Sequence, residues 1–568
     1  MEVVVIGGSA AGMKAACRIR RLLLNARVRV LVRDEHFGYS MCGLPHYLSG
    51  DIGALEDLVR TPNGTLKDET YFREVKGVEV LIRHEVLIID RAARYVRCRM
   101  LESGREITFP YDKLVIATGA RPIIPAIPGI DNPGVCFFTK PADALKLRQD
   151  LERGDIKRAV VIGAGFIGLE LCEAFRATWG VEVDLIEFQP RLLSAMIDED
   201  LALLVQDDLE RHGIKLNVGC GCREISYNEG RLSLRTHRGQ TINADRVVIA
   251  AGTMPNAALA QRAGLDIGVT GGIKVGDHLE TSDPNIFAAG DCVELPSSVD
   301  GSMGIWSLGS LASRMGRVAG DNVCNGDTIF GPVAGATILK CFDMTIGSVG
   351  LTSADCLEKG YEIECCWGTF YDRMHYYPEA APVHLKLIAD RGSDRVLGIQ
   401  ILSNGNILHL LDVAAQAIRT GATVDELQDL EHAYTPPFGQ PFSPLHYLSF
   451  ILENSRSAGI AMVSPSDFFT LPAETLLLDV RDDNERAKSP LENSELPTIS
   501  IPLEQLRSRL IEIPSDRPTV AVCQMGGRAW DAALMLRRTG RKDLSFLAGG
   551  LLMLPHRKSG VKLNETGS

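Results

Sequence analysis

The stretch 158–180, RAVVIGAGFIGLELCEAFRATWG, decides how the rest of the chain is read. Its opening residues are apolar and β-branched, as a buried strand requires. Gly163, Gly165 and Gly168 follow at once as G-x-G-x-x-G, and a helical pattern comes next. In such a turn the first glycine permits the tight bend. The second lets a pyrophosphate approach the backbone, and the third lets the helix pack closely. The helix N-terminus then faces the phosphates. The next strand, VEVDLIE, ends at Glu187, 19 residues past Gly168, where a carboxylate can accept from a ribose 2′-hydroxyl. A 2′-phosphate would be repelled there, so the sequence predicts NADH over NADPH, with Arg191 arguing the other way.

The same grammar occurs about 155 residues earlier, in EVVVIGGSAAGMKAACRIRRLL. This turn is imperfect. It runs Gly7, Gly8, Ser9, Ala10, Ala11, Gly12, with serine at the middle glycine position. The strand after it, VRVLVRDE, places Val32 and Arg33 where a ribose carboxylate is expected, and Asp34 or Glu35 comes slightly late. Two such units predict two nucleotide-binding domains rather than a solenoid. Between them lies YDKLVIATGARPIIPAIPG, 111–129, and its phrase recurs as ADRVVIAAGTMPN, 244–256, followed by IFAAGDC, 286–292. From about residue 330 the texture becomes alternating and β-branched, then helical near NILHLLDVAAQAIRTG. PPFGQPFSP, 436–444, is proline-rich, and polar ENSRSAG reads as the approach to a linker. A smaller α/β pattern begins at about 465.

Composition narrows the function. At 568 residues the chain exceeds a single core, and three or four domains are expected. A net charge of −12 argues against a general nucleic-acid binder, though local basic patches can meet an anionic substrate. No apolar run approaches the roughly 18 residues of a membrane span, and MEVVVIGGSAAG reads as a first strand, not a signal peptide. Fourteen scattered cysteines make no disulfide scaffold, and without C-x-x-C spacing no metal site is expected. A reducing cytoplasm is the expected compartment.

With these motifs together, YDKLVIATGA and IFAAGDC resemble the flavin signatures of the pyridine nucleotide-disulfide oxidoreductase superfamily. The resemblance covers about residues 1–325. It implies FAD on Gly7–Gly12, Asp34, Thr118, Gly119 and Asp291, the last on the ribityl chain, and NADH on Gly163, Gly165, Gly168 and Glu187. Enzymes of this kind often carry two cysteines separated by four residues. Here YSMCGLPHYLSGD offers Cys42 alone, with Tyr47 at the partner position. That resembles the single-cysteine branch of coenzyme A-disulfide reductases, NADH oxidases and NADH-dependent persulfide reductases. HYYPEA and AYTPPF resemble its dimerisation domain, which implies a homodimer and active-site roles for Tyr434 and for Tyr377, or its rival Tyr376. The branch often has serine four residues before the cysteine; this chain has Gly38.

The last hundred residues resemble a rhodanese domain, with LLLDVRDDNE supplying Asp479 and Arg481 and CQMGGR supplying a loop from Cys523 to Arg528. Successive N–H groups, a helix N-terminus and Arg528 would all favour an anion at the Cys523 sulfur. A lone cysteine cannot store two electrons as an internal disulfide, so it must pair with an outside sulfur. The expected activity is NADH-driven, flavin-dependent reduction of coenzyme A persulfide, other persulfides or polysulfides at Cys42, with the rhodanese domain delivering or accepting sulfur. The alternatives are a coenzyme A-disulfide reductase with NADH oxidase activity, and a sulfur-trafficking or redox-sensing protein. Among Lys14, Arg18, Arg20, Arg21, Arg60 and Lys67, some could hold coenzyme A phosphates. The expected fold is α/β. It has an FAD domain at 1–110 and 246–325, an NADH domain with connecting segments at 111–245, and an α+β dimerisation domain at 326–450. A linker at 451–465 and a rhodanese domain at 466–568 complete it.

Overall fold

The computed structural model describes residues 1–491 and 496–555; the end of the expected C-terminal domain, 556–568, lies outside them. The chain divides into two compact units, Met1–Phe188 with Ile214–Val333, and Gln189–Gly213 with the chain from Ala334 onward.

The first unit holds two five-stranded parallel sheets. One has the order Ile286–Ala288, Lys113–Ile116, Glu2–Ile6, Arg27–Leu31, Val78–Leu81. The other has the order Lys215–Val218, Glu182–Glu187, Arg158–Ile162, Arg246–Ile249, Val135–Phe137. Val3, Val4 and Val5 are wholly buried, as are Val160 and Val161. Such unbroken apolar runs follow when both faces of a parallel sheet are covered. In each sheet the strand that precedes a glycine turn is the central one. Both turns therefore open at the carboxyl end of a sheet, where α/β folds bind ligands. Two strands fall outside the spans expected for their sheets. Lys113–Ile116 pairs with Glu2–Ile6, and Arg246–Ile249 with Arg158–Ile162.

The second unit holds an antiparallel sheet, ordered Thr337–Cys341, Met344–Gly350, Val396–Ser403, Pro382–Asp390, Ile363–Tyr371. A second sheet is parallel, ordered Ala461–Val463, Leu544–Leu547, Thr519–Val522, Leu476–Asp479, Thr498–Ser500. The expected linker at 451–465 is not one. Pro444–Ala458 is a helix, opened by Ser443 as cap and Pro444 at its first position, and closed by Gly459 at φ +60°. Strand Ala461–Val463 follows after two residues. The polar run ENSRSAG misled because it is that helix's solvated last turn and its C-terminal glycine.

A buried ionic knot ties this unit together. Lys386 Nζ lies 3.0 Å from Asp198 and 2.7 Å from Asp200. Gln400 Nε2 donates to Asp198 at 2.8 Å, and Trp367 Nε1 to Asp200 at 3.1 Å. Ser466 Oγ, at the entry to the C-terminal domain, donates to Asp200 at 2.6 Å. Burial alone would raise both carboxyls, but Lys386, with Ser353 at Asp198 and with Ser466 and Trp367 at Asp200, holds them below the usual range. No helix among the described residues is long and apolar enough to cross a membrane.

Candidate active site

The two glycine turns are built alike. Gly7 has φ +114° and Gly163 φ +107°, so both need the left-handed region that only glycine enters cheaply. A Cβ on either would fall within 2.3 Å of a carbonyl oxygen, of Ala117 or Ala250. At Gly165, by contrast, a Cβ would meet nothing within 4 Å: the space beside the backbone is open, as a pyrophosphate cradle needs. Ser9 stands at the matching position of the first turn, and its hydroxyl hydrogen-bonds Tyr39. Glu187 Oε2 accepts from the N–H of Ala164 at 2.6 Å, which fixes the carboxylate over the second turn. These features fit a dinucleotide.

Asp291 fits the flavin. Burial alone pushes its carboxyl up to about 6, and no described residue donates a hydrogen bond to it. An acceptor of that kind suits a sugar hydroxyl. Gly119, at φ +65°, also faces open space beside Thr118, whose Oγ1 donates to the Asn256 carbonyl at 2.8 Å. Neither candidate for the first ribose stands free. Asp34 is paired with Lys140 at 2.8 Å and Glu35 with Arg83 at 2.5 Å, along a cleft of about 490 Å³ also lined by Arg33 and Tyr39. Both pairs are exposed and screened by solvent, so they contribute little to stability.

Cys42 sits on a short turn, Met41–Gly43, ahead of helix Leu44–Ser49. The residue is exposed, yet its thiol is desolvated and held above the usual range, with Glu170 and Asp291 adding to the effect. Against this, a Cβ on Gly309 would stand 3.7 Å from Cys42 Sγ, and Gly309 begins the fifteen-residue helix Gly309–Val323. A helix N-terminus favours a thiolate. Tyr47, at the missing partner's position, is a packing residue, 7% exposed, with the Arg148 guanidinium 4.5 Å from its ring centre. Sequence reasoning missed Glu170. Its carboxyl is raised to about 7, mainly by burial, with His46 opposing the rise. Its place, two positions after Gly168, was legible; its burial was not.

The basic residues separate. Arg18 is committed to an ion pair with Asp321, so it does not face outward as a substrate ligand would. Arg60 donates to the Gly64 carbonyl at 2.8 Å, and Lys67 is half-buried. Lys14 and Arg21 remain exposed, and with Lys76 they act on Cys17 between them. In the second unit Tyr377 is 38% exposed and Tyr434 42% exposed. It is Tyr376 that hydrogen-bonds Tyr434.

Cys523 follows strand Thr519–Val522 and precedes helix Gly527–Arg537. It is 1% exposed, and its Sγ accepts from the N–H groups of Gly526 at 3.2 Å and Ala529 at 3.3 Å. Arg528 places its charge near Cys523 and shares it with a carboxylate. Its guanidinium grips Glu485 with both Nη atoms, at 2.7 Å for Nη1, so its charge is already matched before any anion arrives. Asp479 and Arg481 pair at 2.8 Å, both essentially without solvent contact, and stiffen the adjoining strand end.

Residues 1–316 match the family model described as pyridine nucleotide-disulphide oxidoreductase, 337–443 its dimerisation domain, and 470–552 a rhodanese-like domain. An NAD(P)H sulfur oxidoreductase (CoA-dependent) of Pyrococcus furiosus is 34% identical, over 80% of this chain and 99% of its own. A solved NAD-dependent persulfide reductase from A. fulgidus superposes with TM-score 0.93 at 37% identity, covering 97% of this chain and 100% of that one. Reduced CoADR-RHD from Bacillus anthracis gives 0.87 at 30%, covering 97% of each. The chain thus belongs to the pyridine nucleotide-disulphide oxidoreductase family and carries a rhodanese-like domain at its C-terminal end.

Proposed function

We propose that the protein is a flavin-dependent, NADH-driven reductase of coenzyme A persulfide and related persulfides or polysulfides, acting as a homodimer. The observation that carries this reading is the single thiol: Cys42 has a buried tyrosine where a second cysteine would close an internal disulfide. A complete second sulfur site on the same chain, at Cys523, favours persulfides over plain disulfides, because a tethered carrier raises the local concentration of sulfane sulfur.

The turn Gly7–Gly12, Thr118, Gly119 and Asp291 would hold FAD, which supplies two-electron transfer between a nicotinamide and a sulfur–sulfur bond. Gly163, Gly165, Gly168 and Glu187 hold the nicotinamide nucleotide. Cys42 as thiolate attacks the persulfide CoA–S–SH. Attack on the inner sulfur forms Cys42–S–S–CoA and releases hydrosulfide; attack on the outer sulfur forms Cys42–S–SH and releases the coenzyme A thiolate. Two electrons from NADH then cleave the new bond and restore the Cys42 thiolate. The balance is NADH + H⁺ + CoA–S–SH → NAD⁺ + CoA–SH + H₂S. We assign the proton to Glu170, whose carboxyl burial raises to about 7 and whose charge acts on the Cys42 thiol.

The test is a panel of coenzyme A persulfide, coenzyme A disulfide, polysulfide and oxygen with NADH, scored for sulfide. Sulfide release with the highest kcat/KM for the persulfide is expected. A preference for coenzyme A disulfide would make the protein a disulfide reductase instead.

A further inference from the structure

The loop from Cys523 to Arg528 contains one cation, and that cation is occupied. Arg528 makes a two-pronged pair with Glu485, whose own carboxylate also accepts from the N–H of Asp482 at 3.0 Å. Asp482 places a second negative charge near the same guanidinium. The hydrogen bonds from Arg528 hold the Glu485 carboxyl down at about 2, so the clamp stays ionised at every working pH. Neighbouring cations are closed off as well. Arg481 is buried against Asp479, and Arg486 pairs with Asp483. Beyond this matched guanidinium, whose charge also acts on Cys523, what is positive at the sulfur is backbone: the N–H groups of Gly526 and Ala529 and the helix N-terminus behind them. These suit one anionic sulfur. They offer nothing to a second and third negative charge.

We propose that the Glu485–Arg528 clamp sets the donor class of Cys523, admitting hydropersulfides and disfavouring dianionic donors such as thiosulfate. This rests on reading Cys523 as a sulfur-transfer site. With a hydropersulfide the step is Cys523–S⁻ + R–S–SH → Cys523–S–SH + R–S⁻: the thiolate bonds to the outer sulfur, the S–S bond of the donor breaks, and its electron pair leaves on R–S⁻. On the reacting sulfurs one negative charge is present throughout. With thiosulfate the step is Cys523–S⁻ + S–SO₃²⁻ → Cys523–S–S⁻ + SO₃²⁻, and three negative charges must gather around a cation whose charge is already matched. Glu485 is then a specificity-determining residue that acts through Arg528.

The experiment uses the full-length protein. Loading of Cys523 is followed in single turnover, by mass spectrometry of the peptide that bears it, with glutathione persulfide and with thiosulfate. Glutathione persulfide should load the unmodified protein at least about tenfold faster. Glu485→Gln should raise the thiosulfate rate by about tenfold at subsaturating donor, leaving the limiting rate and the persulfide rate within about twofold. Glu485→Asp keeps the charge and should keep the original preference. Thiosulfate as the better donor for the unmodified protein would overturn the proposal, whether or not the variants fold. A Glu485→Gln variant that slows both donors alike would show that the residue only supports the loop, and would overturn its role in selection. Loading from neither donor would overturn the reading of Cys523 as a transfer site.

Discussion

The Glu187 carboxylate accepts a hydrogen bond from the backbone N–H of Ala164 at 2.6 Å, so the acid proposed to bind the ribose is anchored to the turn proposed to bind the phosphates. An anchored carboxylate cannot swing away from a 2′-phosphate, and repulsion over a few ångströms is felt in full. NADH should give a kcat/KM at least about tenfold above NADPH. Glu187→Gln should narrow that ratio while flavin stays bound. Equal use of NADPH by the unmodified protein would rule out this role for Glu187.

Much of this was legible because it is local. A strand, three glycines and a helix define a turn within a dozen residues, and the acid at the end of the next strand falls at a spacing set by the same unit. The C-terminal loop was legible for the same reason. The rest depends on residues far apart in sequence. Nothing beside Arg528 foretells that Glu485, 43 positions earlier, holds its guanidinium. Arg18 looked like a free cation on a basic helix until Asp321, 303 positions on, claimed it. Glu170 lies beside a motif that was read, but its raised pKa comes from burial, which no spacing reveals. The linker was misplaced because a helix's solvated last turn and a tether share one composition.

Glu170 should govern the reactivity of Cys42. Burial raises its carboxyl to about 7, so the group becomes anionic just where a thiol must ionise, and its charge opposes that ionisation. Glu170→Gln removes the charge. The pH profile of Cys42 alkylation by iodoacetamide, in enzyme not exposed to NADH, should move to lower pH, with the rate at pH 8 rising about threefold. An unchanged profile would show that the two groups are not coupled.

Lys386 should be a stability residue. Lys386→Met leaves Asp200 buried without its counter-charge and Asp198 with only Arg191 at 3.9 Å, an arrangement that costs about 3–5 kcal/mol. The sign with pH follows from the carboxyls. Their folded values lie below the ordinary 3.8, so the stability they contribute is present above that pH and is lost as pH falls through the folded values. Without Lys386, burial pushes both upward, and protonation relieves the variant in acid. Denaturant midpoints should therefore show the largest gap from the unmodified protein at neutral pH and a smaller one near pH 4. A gap that does not vary with pH would mean that lost packing, not charge, accounts for the cost.

The two thiols should separate by substitution. Cys42→Ser leaves the glycine turns and Asp291 untouched, so flavin should stay bound and NADH should still bleach its absorbance. Serine cannot form a sulfur–sulfur bond, so turnover of persulfides and disulfides should fall to background. Cys523→Ser puts an oxygen, which can accept from the same two backbone N–H groups but cannot carry a sulfane sulfur, in place of the thiol and leaves Cys42 intact. Loading of the C-terminal site should stop, while a small persulfide that reaches Cys42 by diffusion should keep much of its reduction rate. Near-normal persulfide reduction by the Cys42 variant would end the case for a mixed-disulfide mechanism. Total loss in the Cys523 variant would mean that substrate sulfur must enter through the C-terminal domain. The donor selection set at Glu485 would then limit what the whole enzyme can reduce.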